Sequence, residues 1–287
     1  MNLKTKVIRA TIAQTMENDE KIYYLVKVAF DGRGLFGVQE VKGLKTLSGI
    51  IREAFLKRFL GSEISIMRSS RLDKGVSARE LYLQLIIKTN FTIYTKIEME
   101  EWFSRFSVSD CALKILSYEE TKRLHLLSII NHKTYRYFFS SVPTNDPFVV
   151  FVKEKIDHEL LAWAVQEFIG EHHFRSFSIR GNEKESDLRQ IIDAKILYGD
   201  FEMQPIIDIR LKNVWCFEVT GVGFMRGQVR MMMGALLKLC SGQISKVNFK
   251  HALQGKSDKT QKIGFKVPGT GLVLWSTTLN ESFKNLN

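Results

Sequence analysis

The order of hydrophobic patterns along the chain most constrains its fold. Alternating runs rich in β-branched and aromatic residues, which predict strands, come in clusters, and the amphipathic runs that predict helices are fewer. This order favours an α+β architecture over a regular alternation of strands and helices. The predicted strands cover residues 22–30, 81–87, 135–139, 190–198, 206–211, 214–220 and 271–279, and the predicted helices cover residues 46–60, 158–169, 227–240 and 247–254.

The chain has no stretch rich in Pro, Gly or Ser that would separate its two halves as a linker. We therefore predict two lobes that share one continuous sheet rather than two domains on a string. The predicted divisions are an N-terminal extension at 1–21, an N-terminal lobe at 22–132 and a C-terminal lobe at 133–287.

The composition excludes several classes of protein. With 45% hydrophobic residues in 287, the chain can bury a core and is not a disordered basic tail. No apolar run reaches the roughly 18 residues of a membrane span, and the N-terminus lacks a secretory signal pattern. Cys111, Cys216 and Cys240 stand far apart, as is typical of a reducing compartment. We expect an intracellular protein, cytoplasmic in the first instance, with the nucleus or an organelle left open.

The formal charge of +11, from 42 Lys and Arg against 31 Asp and Glu, is the first indication of function. A strongly basic chain favours an acidic partner, of which nucleic acid is the usual one, although a merely basic surface gives the same number. A lysine-rich stretch at residues 246–266 leaves the same two readings open, a solvated surface or a track for phosphates.

Three motifs that suggest cofactors or metals fail on context. Residues 32–37 match the glycine fingerprint of dinucleotide-binding proteins, but the next helix is predicted only near Thr46. Gly255-Lys256-Ser257 lacks the earlier glycine of a phosphate-binding loop. The pair His172-His173 would point to opposite faces of a strand, with no third ligand at a recognisable spacing. We therefore expect neither a cofactor nor a metal.

A charged loop between the first predicted helix and the second predicted strand is the best candidate for a site. It places the single carboxylate of Asp73 among Arg68, Arg71, Lys74 and Arg79. A polar loop inside a compact unit is a frequent location of functional residues, although an aspartate two residues before a glycine is also ordinary turn chemistry.

The segment Arg71-Leu72-Asp73-Lys74-Gly75-Val76-Ser77-Ala78 resembles the signature of the TruA family of tRNA pseudouridine synthases, in the form of its eukaryotic-type branch. Five further segments resemble family motifs in the same order along the chain. They are Phe30-Asp31-Gly32 with Phe36-Gly37-Val38-Gln39, Lys133-Thr134-Tyr135-Arg136-Tyr137, Phe174-Arg175-Ser176-Phe177, the stretch from Gly223-Phe224-Met225 to Gly234, and the stretch from Pro268 to Leu274.

The resemblance implies the pseudouridine synthase fold, with a mixed, largely antiparallel central sheet and a basic cleft between the lobes. It implies isomerisation of uridine to pseudouridine in tRNA without a cofactor, by a monomer or a homodimer and with no membrane involved. Asp73 matches the catalytic carboxylate, Tyr135 the tyrosine that stacks on the base, and Arg230 the arginine that pairs with the aspartate. The residues expected to engage the RNA are Arg71, Lys74, Arg68 and Arg226.

Two residues depart from the family pattern. Leu72 stands where the family has threonine, and Val38 stands where it has tryptophan. These departures keep a second hypothesis open, a family member that binds or chaperones RNA without catalysis. Binding of a nicotinamide dinucleotide to the glycine run is a third hypothesis.

Overall fold

The computed structural model describes residues 21–88, 96–153, 155–179, 186–257 and 263–281. The predicted N-terminal extension at 1–21 therefore lies outside the described residues, apart from its last residue. The helices are α1 (Leu47–Arg58), α2 (Lys96–Arg105), α3 (His158–Gln166), α4 (Gln228–Cys240) and α5 (Lys246–Leu253). The strands are β1 (Lys21–Phe30), β2 (Glu63–Arg68), β3 (Ser77–Lys88), β4 (Ser107–Val108), β5 (Leu113–Thr121), β6 (Ile130–Ser140), β7 (Val150–Phe151), β8 (Gly170–His173), β9 (Leu188–Glu202), β10 (Arg210–Gly221) and β11 (Leu272–Leu279).

All of these strands join one sheet in the order β4-β5-β1-β3-β11-β6-β10-β9-β8, with β2 on β3 and β7 on β6. Most pairs are antiparallel, and β11 with β3 and β6 with β7 are parallel. The last strand, β11, lies between β3 of the N-terminal half and β6 of the C-terminal half. The prediction of an α+β fold with a mixed sheet is confirmed, and the boundaries of the two lobes stay a prediction.

Strand β6 separates two hydrophobic cores because successive side chains of a strand point to opposite faces. Tyr135 and Tyr137 belong to the larger core, which also takes the buried sides of α1, α4 and α5. Phe138 belongs to a second core with Phe148 and Met203. Tyr135 therefore lies on the face of the sheet that the helices cover.

Side-chain caps define where three helices begin. Thr46 Oγ1 accepts a hydrogen bond from the Gly49 amide at the start of α1, and Asp157 caps α3 in the same way. Ser245 Oγ accepts from the Asn248 amide at the start of α5. Each cap gives an otherwise unpaired amide of the first turn a partner, so the predicted helix starts are confirmed.

One predicted strand is wrong. Residues 206–211 do not form a strand of their own, because Ile206 is buried in a turn and β10 begins at Arg210. The buried turn uses the same apolar residues that periodicity attributed to a strand. Within the described residues, no helix is both long and apolar enough to span a bilayer.

Candidate active site

The loop between β2 and β3, residues 69–76, carries Asp73 and is held by backbone hydrogen bonds at several points. The Ser69 amide donates to the Tyr82 carbonyl (2.9 Å), the Val38 amide to the Leu72 carbonyl (3.3 Å), and the Gly75 amide to the Leu35 carbonyl (3.1 Å). The chain segment that follows β1 thus lies directly on the loop and fixes its path.

The glycines that follow β1 permit this close contact with the Asp73 loop. A Cβ at Gly32 would lie 1.9 Å from the Val76 carbonyl oxygen, and one at Gly37 would lie 2.5 Å from the Leu72 carbonyl oxygen. Gly37 also has a φ of +104°, which other residues rarely adopt. The glycines allow close approach to the Asp73 loop, and the next helix begins only at Leu47, so the run is not a dinucleotide motif.

One carboxylate oxygen of Asp73 forms two ion pairs. Arg230 Nη1 lies 3.2 Å from Oδ2, and Lys266 Nζ lies 2.7 Å from the same atom. Among the described residues, no side chain forms a hydrogen bond or an ion pair with Oδ1. Asp73 therefore presents one held oxygen and one open oxygen.

Arg230, in the first turn of α4, joins the Asp73 loop to the segment before β11. Its Nε donates to the Val267 carbonyl (2.6 Å) while its Nη1 pairs with Asp73. Burial lowers the pKa of Arg230 and the charge of Asp73 opposes that shift. The predicted pairing of Arg230 with Asp73 is present, and it is formed by residues from opposite halves of the chain.

Tyr135 lies on β6, buried, and its ring packs nearly perpendicular to that of Phe224, with 5.1 Å between the ring centroids. Burial raises the pKa of Tyr135 to about 12, a shift that the nearby Ser70 hydroxyl opposes and the Asp73 charge reinforces. The phenol is therefore protonated at neutral pH.

These groups line a cavity of about 800 Å³, which lies within the range of small-ligand sites. Among the described residues of the lining, Asp73 is the one acid. The basic residues of the lining are Arg68, Arg71, Lys133, Arg189, Arg226 and Arg230, and Phe224, Leu127 and Leu272 add apolar surface.

In the described part of the chain, Arg230 is paired with a carboxylate and the other five cations of the lining are not. Two of these five, Lys133 and Arg68, are also shielded from solvent. Burial lowers the pKa of Lys133 to about 8, and its Nζ donates to the Ser69 carbonyl (2.6 Å). Burial also lowers the pKa of Arg68, as does the charge of Arg71 to a lesser extent, and Arg68 Nε is buried with no hydrogen-bond acceptor. The cavity thus holds more positive charge than its own acid balances.

The structure brings most of the predicted site residues together. Asp73, Tyr135, Arg230, Arg71, Arg68 and Arg226 all line the cavity. Lys74 does not: its Nζ lies 4.2 Å from the centre of the Phe36 ring, outside the set of lining residues.

The lysine-rich stretch does not form one surface. Lys246 and Lys250 lie over the Trp163 ring, and Lys250 also pairs with Glu167 at 3.1 Å. Lys266 turns to Asp73 instead. Lys259 and Lys262 lie outside the described residues.

Sequence reasoning missed three contributors to the site. Nothing in the sequence distinguished Lys266 from the other lysines of its stretch, and Arg189 belongs to no recognised motif. Lys133 lay within a family segment, and only its burial and its bond to Ser69 mark it out. Burial and tertiary contact, which motifs do not record, distinguish these residues from other cations.

Both departures from the family pattern are buried in the larger core. Val38 is fully buried, and Leu72 packs in the same cluster. At the other rejected motif, His172 and His173 bond separately to the Ile169 carbonyl and to Asp187. No group of three or more metal-binding side chains occurs among the described residues.

Comparison with known proteins shows which family the chain resembles. A profile described as tRNA pseudouridine synthase matches residues 164–278. The tRNA pseudouridine synthase A of Caldicellulosiruptor bescii is 26% identical over 268 residues, covering 87% of this chain and 96% of that protein. Proteins of the same name from Bacillus sp. (strain KSM-64) and Staphylococcus saprophyticus are 29% and 27% identical, over 88% and 87% of this chain and 97% and 88% of theirs. Over most of its length the chain is similar to the TruA family of tRNA pseudouridine synthases, and its C-terminal part matches the family profile.

Proposed function

We propose that this protein converts uridine to pseudouridine in tRNA, with Asp73 as the catalytic carboxylate. The observation that carries the proposal is the arrangement of Asp73, Arg230 and Tyr135 around one cavity, from three separate segments of a chain in this family. The oligomeric state and the cellular compartment stay predictions.

The reaction is an isomerisation and needs no outside reagent. The bond between N1 and C1′ breaks, the base turns over, and C5 bonds to C1′. C5 gives up its hydrogen and N1 gains one, so atoms and electrons balance. The protein has to supply a group that acts on the sugar, a surface that holds the freed base, and a route for one proton.

Asp73 can supply the first of these. Oδ2 is held by Arg230 and Lys266, and the open Oδ1 is available either to attack C1′ as a nucleophile or to take a proton from the sugar as a base. Both uses require the ionised carboxylate.

Tyr135 can supply the surface that holds the freed base, and its hydroxyl is a candidate for the proton route. Its ring is held against Phe224, so the pair offers an aromatic surface for a base that has left its stack. Its pKa of about 12 keeps the phenol protonated, so that it can donate a hydrogen bond to the turning base.

The surplus cations of the cavity suit the phosphates on either side of the target nucleotide. Arg71 and Arg226 are exposed on its lining, and Arg68 has a buried donor without an acceptor. Phosphate contacts of this kind position an RNA without reading its sequence.

The test uses tRNA transcripts whose uridines carry tritium at C5, because each turnover releases that hydrogen to water. The wild-type protein is expected to release tritium from at least one transcript. Asp73→Asn is expected to lower the rate by a factor of about 10³ or more, measured at a temperature at which circular dichroism shows the variant to be folded. Asp110→Asn, at an exposed aspartate paired with Lys45, is the matched control and should release tritium normally.

Release by Asp73→Asn at the wild-type rate would overturn the role of Asp73. A wild-type protein that binds tRNA but releases no tritium, even as Leu72→Thr, would favour the hypothesis of RNA binding without catalysis. The Asp73–Arg230 pair at the cavity is required by the catalytic hypothesis and not by the hypothesis of RNA binding alone, so it favours catalysis.

A further inference from the structure

Lys266 makes a closer contact with Asp73 than the arginine of the family motif does. Its Nζ lies 2.7 Å from Asp73 Oδ2, against 3.2 Å for Arg230 Nη1. Lys266 stands just before the last family segment, so the resemblance assigns it no role. A second cation on the proposed catalytic carboxylate therefore needs its own explanation.

The backbone around Lys266 is fixed on both sides by contacts too close for a side chain. A Cβ at Gly234 of α4 would lie 1.9 Å from the Phe265 carbonyl oxygen, and one at Gly269 would lie 2.3 Å from the Lys74 carbonyl oxygen. Val267 is buried, and its carbonyl accepts the Arg230 Nε. Lys266 thus starts from a backbone position held against both α4 and the Asp73 loop.

The two cations reach the same oxygen from different elements, Arg230 from α4 and Lys266 from the segment before β11. A carboxylate held by one donor turns easily about its last torsion, because that torsion has only a broad, two-fold preference. A second donor on the same oxygen from another direction restricts the turn. The other oxygen then keeps one orientation.

We propose that Lys266 is a positioning residue, which together with Arg230 holds Asp73 by Oδ2 and keeps Oδ1 directed at the substrate. The inference rests on the proposed function of Asp73 and deepens it. Lys266 acts through the carboxylate, so its loss should affect the rate of the bound complex more than the binding of tRNA.

The test measures kcat and KM for tritium release by Lys266→Met and Lys266→Arg. Lys266→Met is expected to lower kcat about tenfold, equivalent to about 1.4 kcal/mol, with KM within about twofold of wild type. Lys266→Arg keeps a donor in place and should recover most of kcat. Lys57→Met is the control, because it also removes one ion-paired lysine, here from the exposed pair with Glu53 on α1.

A rise in KM with unchanged kcat in Lys266→Met would mean that Lys266 binds RNA directly, and it would overturn the proposal. Equal losses in the Met and Arg variants would do the same. A crystal structure of Lys266→Met gives a measure that does not depend on turnover. It should show the Asp73 carboxylate turned so that Arg230 bonds both oxygens, and an unmoved carboxylate would contradict the inference whether or not the proposed function holds.

Discussion

Two carboxylates of this protein are each held by one arginine and one lysine, and they use these partners differently. At Glu218 on β10, Arg136 takes Oε2 (2.5 Å) and Lys195 takes Oε1 (3.1 Å). At Asp73, both cations take Oδ2. The first arrangement occupies both oxygens, and the second leaves one open to the cavity. Equal numbers of partners therefore leave no oxygen of Glu218 unpaired and one oxygen of Asp73 without an ion-pair partner among the described residues.

The two clusters also differ in how the chain assembles them. Arg136 and Lys195 lie directly opposite Glu218 on the neighbouring strands β6 and β9, so the register of the sheet alone brings them together. Asp73, Arg230 and Lys266 come from a loop, a helix and a segment before the last strand. The open arrangement requires the tertiary fold, whereas the closed one requires only strand pairing.

Charge balance separates the two regions further. Asp193 and Glu218 raise the pKa of Lys195, as is expected of a lysine with acidic partners. Burial lowers the pKa of Lys133 and of Arg68 in the cavity, where Asp73 is the one acid among the lining residues that the structure describes. Positive charge is thus satisfied on the sheet and left in surplus at the cavity, as an anionic ligand would require.

The largest expected effect on kcat distinguishes Arg230, at Asp73, from Arg136, at Glu218. Arg230→Met should lower kcat at least about 100-fold, since the carboxylate loses a preorganised partner, and should reduce the free energy of unfolding by about 3 kcal/mol, because Asp73 and the Val267 carbonyl lose a buried donor. Arg136→Met should also destabilise the fold but leave kcat within about threefold of wild type. Tritium release and denaturant unfolding measure both quantities. Similar losses of kcat in the two variants would remove the distinction between the clusters.

The second prediction concerns pH and uses the opposite shifts of two lysines. Lys133 has a pKa of about 8 when folded and the ordinary value of 10.5 when unfolded. Between these values the unfolded chain binds a proton that the folded chain does not, so stability increases with pH. From pH 7.5 to pH 10.5, the free energy of unfolding of wild type relative to Lys133→Met should increase by about 1–3 kcal/mol.

Lys195 provides the control for the direction in which stability changes with pH. Its folded pKa is raised, so its contribution is complete below the unfolded value and is lost only as pH increases through the folded value. The difference between wild type and Lys195→Met should therefore not increase over the same range. Unfolding curves at several pH values test both lysines, and a flat difference for Lys133 would show that its ammonium group is not penalised by the cavity.

A smaller effect is expected at the closed cluster. Glu218→Gln leaves Arg136 and Lys195 without their shared charge, but both are partly exposed and Lys195 retains Asp193. The free energy of unfolding should fall by about 1 kcal/mol with kcat unchanged. Denaturant unfolding and tritium release check this, and a tenfold loss of kcat would mean that the sheet cluster supports the active site.

The same contrast explains how much could be predicted from the sequence. Strand β1 and helix α4 were predicted to within one residue, because periodicity is a local signal. Strand β2, strand β5 and helix α2 were missed. Strand β2 is amphipathic only in part, with Ile64 buried and Met67 exposed, so its pattern is weak.

The contacts of the site likewise depend on tertiary structure, which local sequence patterns do not record. The pairing of Asp73 with Arg230 was available only through resemblance to a family, since nothing local connects a loop residue with a distant helix. The contact of Lys266 with Asp73 could not be predicted even from the resemblance, because a lysine-rich stretch does not indicate which lysine turns inward. The sequence context argued against a nucleotide site at the glycine run, but only the structure showed the loop backbone that the glycines contact.

The smallest expected effect tests whether the surplus charge of the cavity binds RNA. Binding of tRNA should weaken as salt increases, because each phosphate contact releases counterions. Arg226→Gln, on the cavity lining, should reduce the slope of log K against log salt by about 0.7–0.9 and weaken binding a few-fold at moderate salt. Arg210→Gln removes an arginine that is already paired with Asp200 on the sheet, and it should leave the slope unchanged. Because tRNA binding at a series of salt concentrations isolates this electrostatic contribution from catalysis, equal slopes for the two variants would mean that the cavity cations serve the fold as the paired ones do.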